Sequence, residues 1–111
     1  MTKDDFVYLR HILDAIAQIE IYLQGATQAE FNQNKLLQDG VIRQLEIIGE
    51  ASRNLGQEFQ DKHSQIPWGQ IIALRNRLIH AYFSVNLQLV WEIVKTNLPV
   101  LKNDIQQILE E

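Results

Sequence analysis

Apolar side chains recur at three- and four-residue steps along most of this sequence, and that spacing selects helices. Leu87, Trp91, Val94, Leu98, Leu101, Ile105 and Ile108 show it most clearly, alternating steps of four and three like the seam of a bundle. No strand-like alternation, internal repeat or low-complexity segment stands out. A chain of 111 residues holds one domain with a real core and is too short for two. The expectation is a single all-α domain over 1–111. Its architecture should be an up-and-down bundle of four main helices with one or two short extra turns.

Local signals place the helix ends. Thr2 or Asp4 caps a first helix running to about Gln24, with Phe6, Leu9, Leu13, Ile16 and Leu23 on one face, widened by Ile12 and Ile19, and Gly25 as the stop. Thr27 and Glu30 form a capping box for a short turn through Phe31. A long helix follows from about Lys35 to Leu55, and Gly49 within it suits close approach of another helix backbone. The segment from Gly56 to Gln65 is polar and turn-like, and His63 reads there as a loop histidine. Ser64 and Pro67 suit the start of a helix opened by Trp68 and ending near His80 to Phe83. Ser84 or Asn86 caps the last helix, where Pro99 predicts a kink.

The helix opened by Trp68 carries the chemistry. Its stripe, Trp68, Ile71, Ile72, Arg75, Leu78, Ile79 and Tyr82, is apolar or aromatic except at Arg75. A guanidinium in a core-facing stripe is costly unless it is paired or faces a polar cleft. Arg75 is therefore either half of an ion pair, with Glu46 or Glu50 as partner, or an anion-binding group. Glu50 has two matching readings, a solvated helix charge or that partner. His80 is either a capping histidine near a helix end or a proton-transfer group, since imidazole titrates near neutral pH. Asn76 lies four residues before it on the same face.

Arg75, Asn76, His80 and Tyr82 resemble the Arg-x4-His-x-Tyr signature of HEPN-domain ribonucleases, in particular the HepT toxins. The resemblance extends to Ile47-Ile48-Gly49-Glu50-Ala51, Ile66-Pro67-Trp68 and the apolar C-terminal helix with Leu98-Pro99. It implies a HEPN-like, homodimeric bundle acting as the toxin of a type VII-like toxin–antitoxin pair. The implied reaction is cleavage of RNA through 2′-hydroxyl attack, leaving a 2′,3′-cyclic phosphate. In it Arg75 would hold the phosphate, His80 would move the proton and Asn76 would orient them. Arg77 is open between a phosphate contact and a solvated charge. Tyr82 has three readings: a core residue, a base-stacking ring, or the residue to which an MNT-type nucleotidyltransferase antitoxin attaches AMP. The last rests on the resemblance alone.

Residues five apart are about 140° apart around a regular helix, so Arg75 and His80 do not share a face there. Either the helix loosens or ends before His80, or Arg75 reaches around, or two chains meet. A two-fold axis beside this helix would gather two Arg/His sets in one cleft. Phe83, Val85 and a surplus of apolar faces are indirect support for a dimer.

Composition narrows the partners. The net charge is −4, so any contact with RNA must be local, because affinity for nucleic acid comes from neutralising phosphates. There is no cysteine, hence no disulfide framework, thiolate site or cysteine nucleophile. Scattered histidines without an HExxH pattern argue against a metal site, and no cofactor is implied. His11 has no ligand-like partner in sequence and reads as structural or exposed. No membrane span and no signal-peptide pattern at Met1-Thr2-Lys3-Asp4-Asp5 are seen, which fits a cytoplasmic protein. RNA rather than DNA is the expected substrate, since only RNA carries the 2′-hydroxyl. The competing reading is a non-catalytic HEPN module that binds a nucleotide or a nucleotidyltransferase partner.

Overall fold

A computed structural model describes residues 1–80 and 86–111, apart from the side chains of Ile79 and His80. The helices are α1 (Lys3–Tyr22), α2 (Gln28–Gln33), α3 (Lys35–Asn54), α4 (Gln57–Lys62), α5 (Trp68–His80), α6 (Leu87–Glu92) and α7 (Leu98–Glu110). A π-helical stretch, Ile93–Asn97, joins α6 to α7, so the last three segments form one long rod. The expected four main helices are thus α1, α3, α5 and this rod, with α2 and α4 as the short extras. Among the described residues there is no strand.

The core seam of α1 is Asp5, Leu9, Ile12, Ile16, Ile19 and Leu23, all buried. The expected face is corrected at Phe6, which is 48 % exposed while Asp5 turns inward in its place. The carboxylate is satisfied there. Asp5 and Thr2 form a reciprocal capping box, and the Gly56 N–H donates to Asp5 Oδ1 at 3.1 Å. Asp5 therefore ties the start of α1 to the α3–α4 junction, 51 positions away. Burial alone would push its carboxyl up, but the bonds from Gly56 and Thr2 outweigh that and hold it below the ordinary carboxylate value. A depressed folded-state value means that Asp5 stabilises the fold above its unfolded pKa, about 3.9, and loses that contribution as pH falls through the folded value. Asp5→Ala should cost about 1–2 kcal/mol at neutral pH and flatten the acid limb of the stability curve, read by urea unfolding between pH 2 and 7.

Thr27 and Glu30 make the expected capping box, and Gly25 takes φ +75° at the α1–α2 turn. Asn34 caps α3, and Asn86 caps α6 by accepting from the Leu89 N–H at 3.1 Å. Val41, Leu45, Ile48, Ala51 and Leu55 bury one side of α3 against α1, while Gly49 meets α5. At the α4–α5 corner, His63 is the expected loop histidine, and it is buried. Its ring lies 4.6 Å from that of Phe59, and its carbonyl accepts from Trp68 Nε1 at 3.2 Å. This aromatic plug fixes where α5 begins. Ser64 makes no side-chain hydrogen bond among the described residues. The Pro67 carbonyl instead takes the N–H groups of Gln70 and Ile71.

The kink expected at Pro99 takes another form. Proline has no N–H for the carbonyl four residues back, and its ring crowds that carbonyl. The chain widens before it, the Leu98 N–H reaching Ile93 O, and Pro99 then sits in the first turn of α7. Tyr82, Phe83, Ser84 and Val85 lie outside the described residues.

Candidate active site

Helix α5 rests on α3 at Gly49. A methyl group there would collide with the Arg75 Cβ, approach its Cγ to 2.9 Å and press on the Ile71 carbonyl at 3.3 Å. Glycine removes that obstacle, so the base of Arg75 is seated against the α3 backbone. The side chain extends from there to Glu50 on α3.

Arg75 Nη2 stands 3.1 Å from Glu50 Oε2, and Nη1 donates to Asn76 Oδ1 at 3.2 Å. Of the two candidate partners, Glu50 is the one used. Glu46 pairs with Arg43 at 3.6 Å instead. Among the described residues no hydrogen bond of good geometry reaches Glu50 Oε2, which is shut off from solvent, so charge attraction holds this pair. Arg53 adds a second positive group at 3.9 Å. The ion-pair reading of Arg75 is the one this geometry supports. Its side chain remains 25 % exposed, paired yet lining an open pocket of about 190 Å³ between α1, α3 and α5.

Helix α5 runs unbroken to His80, which removes the idea that it loosens or ends before that residue. Arg75 and His80 therefore keep the angular offset of a regular helix, about 140°. Asn76 is exposed and braces Arg75 rather than standing apart from it. Arg77 is exposed on a different side of α5, lining a groove of about 360 Å³ with Leu74, Leu89 and Asp104. The structure does not bring it to Arg75. The side chain of His80 and all of Tyr82 lie outside the described residues. No three His, Cys, Asp or Glu side chains converge among the described residues, and no helix there is long and apolar enough to cross a membrane.

The stripe of α5 is only partly covered. Trp68 is buried, but Ile71, Ile72, Arg75 and Leu78 are each half-buried. Sequence reading also missed one juxtaposition. Tyr8 and His11 of α1 line the same pocket as Arg75, more than sixty positions away, and no spacing within one helix could have signalled it.

Comparison with known proteins agrees with this architecture. A solved structure of a tri-AMPylated Shewanella oneidensis HEPN toxin in complex with its MNT antitoxin superimposes over all of both chains, with a TM-score of 0.71 at 23 % identity, and so shares the fold. A Methanocaldococcus jannaschii protein, named as a gamma-glutamylcyclotransferase and candidate RNase, is 49 % identical over the whole chain, which spans half of that relative's length. A candidate RNase of Caldanaerobacter subterraneus subsp. tengcongensis is 38 % identical over 94 % of this chain and 93 % of its own. A candidate ribonuclease HepT of Thermococcus cleftensis is 41 % identical over 91 % and 92 %. The model of the family described as Ribonuclease HepT-like matches residues 12–108, and the chain belongs to that family.

Proposed function

We propose that this protein is the toxin of a HEPN/MNT pair, a metal-independent endoribonuclease restrained by AMPylation of Tyr82. The observation that carries the reading is the state of Arg75. It is anchored by Glu50 and Asn76 yet lines an open pocket, the disposition of a group that receives a phosphate. A planar fork of donors beside the scissile phosphate would stabilise the charge of the phosphorane. His80, one turn and a half further on, would take the proton of the 2′-hydroxyl or return one to the 5′-oxygen. The half-covered stripe of α5 supports pairing of two chains along this helix, which would bring the His80 of one near the Arg75 of the other.

The AMPylation reading draws on the family signature around Tyr82 and on the AMPylated HEPN toxin with the shared fold. Two positions beyond His80, an attached AMP would bring negative charge and bulk to the cleft and repel RNA phosphate. The partner would be an MNT-type nucleotidyltransferase.

Labelled RNA incubated in EDTA should be cut by the wild-type protein to fragments ending in 2′,3′-cyclic phosphate, while the matching DNA stays intact. His80→Ala should remain helical and cut at least about 100-fold more slowly. Undiminished cleavage by folded His80→Ala protein would remove His80 from the mechanism. Absence of wild-type cleavage, with binding retained, would favour a non-catalytic module. Mass spectrometry after co-expression with the partner should find one or more added AMP groups on Tyr82, and their attachment elsewhere would contradict the proposed restraint.

A further inference from the structure

We infer that the pocket beside Arg75, walled by Tyr8 and His11 of α1 and by Arg43, Glu46 and Glu50 of α3, is a nucleoside subsite for single-stranded RNA. It would hold the base next to the scissile phosphate. This deepens the ribonuclease reading and rests on it.

Three properties of the pocket point to a nucleoside rather than a bare anion. Its charges are mixed: Arg43 and Arg75 stand with Glu46 and Glu50 around about 190 Å³. Glu50 is engaged by Arg75 and Asn54, but Glu46 meets Arg43 through one oxygen and can accept from N–H donors on a base edge with the other, beside an arginine for the phosphate. One wall is aromatic. The Tyr8 and His11 rings meet edge to face at 6.1 Å between centroids, leaving His11 exposed as a platform on which a base can stack. The third property is position. Arg75 lines this pocket, so a nucleotide whose phosphate sits on Arg75 is attached to whatever fills it. An acidic protein needs such a local grip, since its overall charge repels RNA.

The test uses the full chain and single-stranded 2′-O-methyl RNA, which 2′-hydroxyl attack cannot cleave, with an abasic nucleotide placed at each position in turn. Binding is followed by fluorescence anisotropy. One abasic position should weaken binding to the wild-type protein by about 5- to 150-fold, the range expected for one stacked base. His11→Ala removes an exposed side chain and should leave the circular dichroism spectrum unchanged. It should weaken binding of intact RNA by a similar factor and abolish the abasic penalty, because both changes delete the same contact. Glu46→Gln should change which base at that position binds best. An abasic penalty that persists in full in His11→Ala, or intact RNA that binds His11→Ala as tightly as wild type, would overturn the subsite. Cleavage of ordinary RNA separates the two readings. Cleavage without any His11 dependence leaves the ribonuclease and removes the subsite, whereas His11-dependent binding without cleavage does the reverse.

Discussion

Alanine at position 49 should destabilise the protein by about 2 kcal/mol, a loss on the order of 8 °C in Tm for a domain of this size. Two opposing effects decide the sign. Alanine is the better helix former, by about 1 kcal/mol over glycine in a helix interior. Against that, the new methyl falls on the Arg75 Cβ, and the Cγ and the Ile71 carbonyl stand close behind. A Cβ is fixed to its backbone, so α5 must move off α3, and overpacking of this kind costs about 1–3 kcal/mol or more. Gly69→Ala is the control. Among the described residues nothing lies within 4 Å of its added methyl, so the helix preference acts alone and stability should rise by up to about 1 kcal/mol. Urea unfolding of the three proteins decides the matter. A Gly49→Ala protein as stable as the wild type would mean that α3 and α5 are not in backbone contact. RNA cleavage should fall along with stability, because the displaced residue is Arg75 itself.

That contact was legible in the sequence because a glycine in the strongest part of an amphipathic helix has few other uses. The same holds for the Thr27 cap and the last helix, whose signals are local and chemically specific. What was not legible depended on neighbours. Nothing in the sequence singled out Asp5, and the Gly56 N–H, brought up by the α3–α4 junction, joins Thr2 in making a buried carboxylate tolerable there. Phe6 lost its expected place for the same reason. His63 lies in a polar run, yet Phe59 and Trp68 enclose it. Pro99 announced a disturbance but not its form, since widening the preceding turn relieves the proline clash as well as a bend does. The site divides along the same line. Arg75 stood out because charge interrupts an apolar stripe, and Glu50 was among its two candidate partners. Arg77, equal to Arg75 in chemistry, could be assigned to another surface only from coordinates. Tyr8 and His11 reach Arg75 through the packing of three helices, which no one-dimensional spacing encodes.

Arg75→Lys should retain the fold and lose RNA cleavage by about 100- to 1,000-fold in kcat. Lysine keeps the positive charge and can still approach Glu50, which is 44 % exposed, so stability should change by less than about 1 kcal/mol. It does not keep the planar fork. The guanidinium can face Glu50 with one nitrogen, Asn76 with another, and still present N–H groups to a phosphate, whereas a single ammonium cannot serve all three directions. A kcat loss with little change in KM is the mark of a contact made chiefly in the transition state. Glu50→Gln separates anchoring from catalysis. It removes the charge that positions Arg75 but leaves the guanidinium, so it should slow cleavage by a smaller factor, about 10-fold, with the order wild type, Glu50→Gln, Arg75→Lys in single-turnover rate. If Arg75→Lys cleaves as fast as wild type, the side chain is contributing charge alone and the fork geometry has no part in the reaction. If Glu50→Gln is the slower of the two, the carboxylate acts on the substrate directly, and the division of labour between α3 and α5 must be redrawn with Glu50 at its centre.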